Sequence, residues 1–170
     1  MTAPLPDDAP ADWLDLTQSL LDSFRDRTGR ELITRTTAAE ELLALWNAPR
    51  VVAFHDTQDD PVFRYGNRVA LRLWELPLNR FLGMPSRQTA EPIHRDERQR
   101  LLQRTRELGY VDDYRGIRIS STGKRFLIER ALLWNVRDPN GQILGQAATF
   151  DLWTPLPDSP PLPDGPLRPG

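Results

Sequence analysis

The sequence predicts an α+β domain: a five-stranded antiparallel sheet with helices on one face, preceded by N-terminal helices. Three observations lead there. Apolar residues recur at helical spacing ahead of Pro49 and again in the middle of the chain. The last third consists of β-branched and aromatic runs separated by tight-turn sequences. The resulting order is helix, helix, strand, strand, helices, then three strands, which suits an antiparallel sheet with helices between its second and third strands. At 170 residues, with 39% apolar and 27% charged side chains, the chain suits one globular domain.

Residues 1–11 and 156–170 read as loose tails. Ala3 to Pro10 carries three prolines and two aspartates, and Pro155 to Gly170 carries seven prolines; such composition favours extended or polyproline II backbone. Residues 12–48 read as helices. In Trp13 to Arg27 the residues Trp13, Leu16, Leu20, Leu21 and Phe24 share one face. Asp12 is placed to cap its start and Gly29 to end it. Thr37 and Glu40 have capping-box spacing ahead of Leu42, Leu43, Leu45 and Trp46, and Pro49 stops that helix. Residues 49–155 read as the domain proper. Arg50 to Phe54 and Pro61 to Tyr65 form a hairpin around Asp56 to Asp60. Asn67 caps a helix carrying Val69, Ala70, Leu73 and Trp74, and Pro77 ends it. A helical turn over Leu78 to Leu82 and a loop over Gly83 to Pro92 follow. Arg95 to Leu108 is a helix ended by Gly109. Tyr110 to Ser120, Arg125 to Val136 and Ile143 to Trp153 are strands, separated by Ser121-Thr122-Gly123 and Asp138-Pro139-Asn140-Gly141.

Composition excludes several functions. With 22 basic against 24 acidic residues, net charge −2 and pI about 5.7, the chain is poorly suited to neutralising phosphates, so no nucleic-acid partner is expected. The helix Arg95 to Leu108 is basic but mixed in sign and lacks stacking aromatics, and reads as a solvated face. No apolar run is long enough to span a membrane, and no secretory signal is visible, so the expected address is the cytoplasm. Without cysteine there is no disulfide, thiolate nucleophile or cysteine-ligated metal. His55 and His94 are the two histidines. The former reads as a loop residue and the latter as a helix cap.

Several segments carry a family resemblance. Pro61-Val62-Phe63-Arg64-Tyr65-Gly66-Asn67-Arg68-Val69-Ala70-Leu71 resembles the PAS signature of an asparagine after the second strand, then a helix. Pro85-Ser86-Arg87-Gln88-Thr89-Ala90-Glu91-Pro92 resembles a loop of the MEKHLA domain, a PAS-related module. So do Asp112 to Ile119 and Gly141 to Phe150, with Gly145-Gln146-Ala147-Ala148-Thr149-Phe150 at the core. Leu20-Leu21-Asp22-Ser23-Phe24-Arg25, followed by Thr28-Gly29-Arg30-Glu31-Leu32, resembles the bacterial stand-alone version. The resemblance runs from Trp13 to Pro155. It implies a PAS-like fold and a sensory or regulatory role, with no defined ligand or cofactor. In plants the family's domain sits at the end of homeodomain-zipper transcription factors; this chain contains neither element, so their DNA binding does not carry over.

PAS-like pockets hold flavin, haem or small metabolites. Cysteinyl-flavin and thioester-chromophore types need the cysteine this chain lacks, and neither histidine is well placed for haem. In Arg125 to Trp134, simple alternation puts Phe126, Ile128, Arg130, Leu132 and Trp134 on one face and Leu127, Glu129, Ala131 and Leu133 on the other. The charges pair within the protein, Arg130 with Glu91 or Asp151 and Glu129 with Arg118 or Arg87, or else Arg130 or Arg87 faces a pocket and binds an anion through its planar fork. The candidate ligand-binding residues are Arg87, Arg130, Trp134 and Gln146. No catalytic or metal residue is expected: Ser86 lacks a nucleophile-elbow context, and Asp112 and Asp113 read as edge residues. The leading expectation is a non-catalytic small-molecule sensor with an anionic ligand, dimerising through the apolar stripe of Trp13 to Arg27. The alternatives are a small α+β enzyme acting on an anionic substrate and a ligand-free interaction module.

Overall fold

The computed structural model describes residues 2–91 and 94–157. Most of the proline-rich tail expected over 156–170 therefore lies outside the described residues. The elements follow the expected order: α1 (Trp13–Thr28), α2 (Ala38–Trp46), β1 (Val51–His55), β2 (Phe63–Gly66), α3 (Arg68–Trp74), α4 (Leu78–Phe81), a 3-10 turn (Ser86–Thr89), α5 (Arg95–Leu108), β3 (Tyr110–Ile119), β4 (Arg125–Arg137), β5 (Ile143–Phe150) and β6 (Leu152–Pro155). The sheet runs β2-β1-β5-β4-β3, every pair antiparallel. The expected last strand bends at Asp151 and continues as β6, which keeps β5's alignment along β4: Leu132 faces Thr149 and Glu129 faces Leu152.

Side chains alternate between two cores. Val51, Ala53, Leu133 and Phe150 pack under α3 to α5, while Val52, Phe54, Trp134 and Val136 pack under α1 and α2. The N-terminal helices thus cover the second face of the sheet. Their stripe of Trp13, Leu16, Leu20, Leu21 and Phe24 is buried there. Leu20 and Leu21 are fully buried, each contributing on the order of 2 kcal/mol. The apolar stripe of Trp13 to Arg27, expected to meet a second copy, is covered instead by the protein's own sheet. Asp12 also makes no side-chain cap bond, whereas Gly29 takes the left-handed conformation expected of a terminator, with φ 73°.

The capping box at Thr37 and Glu40 is formed. Arg35 ties the two N-terminal helices together, donating to Glu41 at 2.7 Å and to Asp22 at 3.0 Å. That guanidinium, above all, holds the Glu41 carboxyl down at about 2. Residues 3–10, expected as a loose tail, are pinned instead. Ala3 and Asn47 exchange two hydrogen bonds of 2.8 Å, and the Trp46 indole N–H donates to the Pro4 carbonyl at 3.1 Å. Asn67 caps α3 as expected, its side chain accepting from the Ala70 N–H.

Two bulges shape the β3–β4 hairpin. Val111 faces Leu133 and Tyr114 faces Ala131, so β3 carries an extra residue at Asp112-Asp113. Gly116 faces Ile128, so β4 carries one at Glu129-Arg130, where Arg130 has φ 53°. The second bulge corrects the expected alternation. Phe126 and Ile128 face the α5 side, but past Arg130 it is Ala131 and Leu133 that do, while Leu132 and Trp134 turn to the α1 side.

Candidate functional site

A cavity of about 80 Å³ lies between the sheet and the helices α3 and α5. Its floor is Ala53, Ala131, Leu133, Gln146, Ala148 and Phe150. The alanines leave the room: Ala53 and Ala148 are cross-strand partners, and Leu133 lies beside Ala148 on the next strand. Trp74, Ser86, Thr89, Arg98, Leu101 and Leu102 roof it, and Tyr114, Arg118 and His55 close its sides.

The polar lining comes from elements that aim it inward. Arg98 lies three and seven residues before Leu101 and Thr105, on the buried face of α5. It is 4% exposed and donates to the Ser86 hydroxyl. Arg118 follows the inward alternation of β3 and is 7% exposed. Its guanidinium lies 5.2 Å from the centre of the Tyr114 ring and donates to the Ile117 carbonyl at 2.8 Å. A β-carbon at Gly116 would collide with the Tyr114 hydroxyl, so glycine there lets the ring lie along the strand. That hydroxyl donates to Glu97 at 2.8 Å. The Trp74 indole N–H is buried without a partner.

Burial, and then the neighbouring charge of Arg118, pulls Arg98 down to about 10. Burial pushes the Tyr114 phenol up to about 12. His55 is drawn down to about 4, chiefly by burial, with the Arg98 charge acting in the same direction. It is therefore neutral at neutral pH. Its Nδ1 lies 3.0 Å from the Asp56 carbonyl, which only accepts, so the proton sits on Nδ1.

The four expected ligand residues do not come together. Gln146 is in the cavity wall, where its amide donates to the Leu102 carbonyl at 3.0 Å and to Asn135 Oδ1 at 3.2 Å. Arg87 sits outside the lining and is held by Asp60, with both carboxylate oxygens 3.1 Å from Nε. Arg130 is exposed in a groove with Arg30, Glu31, Arg50 and Asp112. Trp134 is fully buried on the opposite face, its edge against Phe24 and its N–H donating to the Leu20 carbonyl at 3.2 Å. The expected charge pairs also differ: Glu129 meets Arg115 at 3.3 Å, and Glu91 meets Arg125 at 3.7 Å. Sequence reasoning missed Arg98, Arg118, Trp74 and His55. Arg98 stands at helical spacing with Leu101 and Thr105, which is the signal that it belongs to the buried face of α5 and not to the solvated one. Ser86 is engaged by Arg98, and His94 stands at the start of α5 without a side-chain cap bond.

Among solved structures, the chain is similar to a PAS domain of a protein from Colwellia psychrerythraea, with TM-score 0.58 and 15% identity over 67% of this chain and 95% of that one. It is similar to the light-state dimer of the fungal blue-light photoreceptor Vivid, with TM-score 0.55 and 14% identity over 86% and 95% of the two chains. A light-oxygen-voltage domain studied with a flavin analogue gives TM-score 0.52 and 18% identity over 69% and 84%. At these identities the likeness shows the fold alone. No curated protein matches the sequence. The residues present do not fit a flavin: the cavity is about 80 Å³, against roughly 300–1,000 Å³ for pockets holding drug-sized ligands. Among the described residues no helix is long and apolar enough to cross a membrane. The MEKHLA family matches residues 14–155, the span that builds the sheet and the cavity between sheet and helices, and the chain belongs to the MEKHLA domain family, with a PAS-like fold.

Proposed function

We propose that this chain is a non-catalytic, cytoplasmic sensor whose small-molecule ligand occupies the cavity between the sheet and α5. The observation that carries the reading is the lining itself. A cavity kept open by alanines would be a plain packing fault if it were apolar throughout, but this one gathers the polar groups of Arg98, Arg118, Ser86, Trp74 and Gln146. Gln146 remains in the proposed ligand set, Arg98 and Arg118 replace Arg87 and Arg130, and Trp134 leaves it. Because Gln146 bonds the backbone of α5, a ligand that competes for its amide changes how α5 sits on the sheet.

The test is native mass spectrometry of the freshly purified chain, then methyl NMR during titration with small acids, amines, amides and alcohols. Selective shifts at Ala131, Ala148 and Leu101 are expected, and Ala148→Leu, which fills the cavity, abolishes them. If nothing co-purifies and no compound moves these resonances, the sensor reading fails and a ligand-free interaction module takes its place.

A further inference from the structure

We infer that the cavity is a carboxylate site, in which Arg98 and Arg118 together grip a short monocarboxylate whose hydrocarbon end lies against Ala53, Ile128 and Phe150. The inference rests on the reading of the cavity as the ligand site and adds the chemistry of the ligand.

Charge is the first argument. The lining contains two arginines and no aspartate or glutamate. Both guanidiniums belong to residues more than nine-tenths buried, at 4% and 7% exposure. Among the described residues neither has a carboxylate within 4.0 Å. The nearby acids are engaged elsewhere: Glu97 accepts from Tyr114 and Asp60 from Arg87. Two cations taken out of water beside each other, with no carboxylate in contact with either, are costly, and an anion between them lowers that cost.

Hydrogen-bond capacity is the second argument. The cavity has more donors than acceptors, the latter including Gln146 Oε1 and His55 Nε2. Arg98 and Arg118 have guanidinium N–H groups beyond those donated to Ser86 and Ile117. The Trp74 N–H has no partner. Ser86 accepts from Arg98, which leaves its own proton free to donate. Such a set suits the oxygens of a carboxylate, which accept only.

Size and polarity choose within the oxyanions. The cavity is smaller than the roughly 150 Å³ that holds a benzene ring. Its charged groups come from α5 and β3, while β1 and β5 contribute the apolar Ala53, Ala148 and Phe150 and the uncharged His55 and Gln146. Phosphate, with oxygens on every side, would leave some against alanine and phenylalanine, whereas a short fatty acid presents oxygens one way and methylenes the other.

The experiment is isothermal titration of the whole chain with propionate, butyrate, propionamide and inorganic phosphate, repeated on Arg98→Met and Arg118→Met. Propionate or butyrate is expected to bind at least about tenfold more tightly than propionamide. Each variant is expected to lose that preference while its unliganded melting temperature stays level or rises, because an unmatched buried cation has been replaced by an apolar side chain. Equal binding of propionate and propionamide would overturn the carboxylate assignment and leave the cavity a ligand site. Binding of phosphate without either acid would overturn it too. Variants that melt earlier yet keep the preference would make both arginines structural. If neither acid, amide nor phosphate binds and the Ala131 and Ala148 resonances respond to no compound, the sensor reading itself fails.

Discussion

Replacing Asn67 with alanine should destabilise the protein by about 4 kcal/mol. Asn67 is fully buried and uses every hydrogen-bonding group of its side chain. Its Oδ1 accepts from the Val52 N–H at 3.1 Å and the Ala70 N–H at 3.2 Å. Its Nδ2 donates to the Arg50 carbonyl at 2.7 Å and the Leu45 carbonyl at 3.2 Å. One amide thus fastens the end of α2, the start of β1 and the first turn of α3. Losing the cap at Ala70 costs about 1 kcal/mol. The Val52 N–H and the Arg50 carbonyl lose their partners, at about 1–3 kcal/mol each, whereas the Leu45 carbonyl keeps the Ala48 N–H at 3.3 Å. Summed conservatively, that is a large part of a typical stability of about 5–15 kcal/mol. Two further variants locate the effect. Asn67→Ser retains the helix cap and should recover about 1 kcal/mol of the loss. Asn67→Asp keeps both accepting roles but sets a charge against two carbonyl oxygens, so it should be at least as damaging as alanine at neutral pH and less so in acid. Urea unfolding followed by tryptophan fluorescence reads all three, since Trp46 and Trp74 sit on the helices that Asn67 joins. An alanine variant that loses under about 1 kcal/mol would show that Asn67 is only a helix cap, and one that equals the serine variant would show that the cap contributes nothing.

Two other predictions follow from local geometry. Arg130 is exposed with φ 53°, a conformation that strains any residue with a β-carbon, so Arg130→Gly should raise stability by about 0.5–1 kcal/mol; a lower urea midpoint would show that the arginine side chain contributes more than the strain costs. His55 is held at about 4 in the folded chain, below its ordinary 6.5. Its contribution is therefore complete above the unfolded value and is lost as pH falls from about 6.5 towards about 4, by at most about 3 kcal/mol. The difference in urea midpoint between wild type and His55→Gln should shrink over that range, and parallel pH curves would refute it.

Features encoded by neighbouring residues were legible in the sequence. The capping box at Thr37 and Glu40, the cap at Asn67, the stops at Gly29 and Gly109 and the hairpin turns depend on residues a few positions apart. The PAS-like fold, with its antiparallel sheet, came with the family resemblance. What was not legible depends on distant partners. Nothing in Ala3 to Pro10 announces that Asn47 and Trp46 will hold it. The stripe of α1 looks the same whether a second copy or the protein's own sheet covers it. In the site, an arginine on a strand was visible, but not which arginine faced inward, because inwardness on β4 depends on a conformation that arginine does not advertise.

That conformation decides whether the cavity exists. The bulges at Asp112-Asp113 and Glu129-Arg130 add one residue to each strand of the hairpin, so they cancel: Val111 faces Leu133 before them and Gly116 faces Ile128 after them, as an unbroken ladder would have it. Past the bulges both strands are turned over together: Val111 and Tyr114, three residues apart on β3, both face the α5 side, as do Ile128 and Ala131 on β4. With unbroken alternation, the face that carries Phe126 and Ile128 would carry Arg130, Leu132 and Trp134 beyond them. Leu132 and Trp134 would then stand where Ala131 and Leu133 now line the cavity, and the indole would fill it. The left-handed residue turns Trp134 to α1, where it meets Phe24 and the Leu20 carbonyl, and turns Ala131 to the cavity opposite Tyr114. The exposed arginine that alternation assigned to the ligand thus acts through its backbone, and the open space beside Arg98 and Arg118 is its consequence.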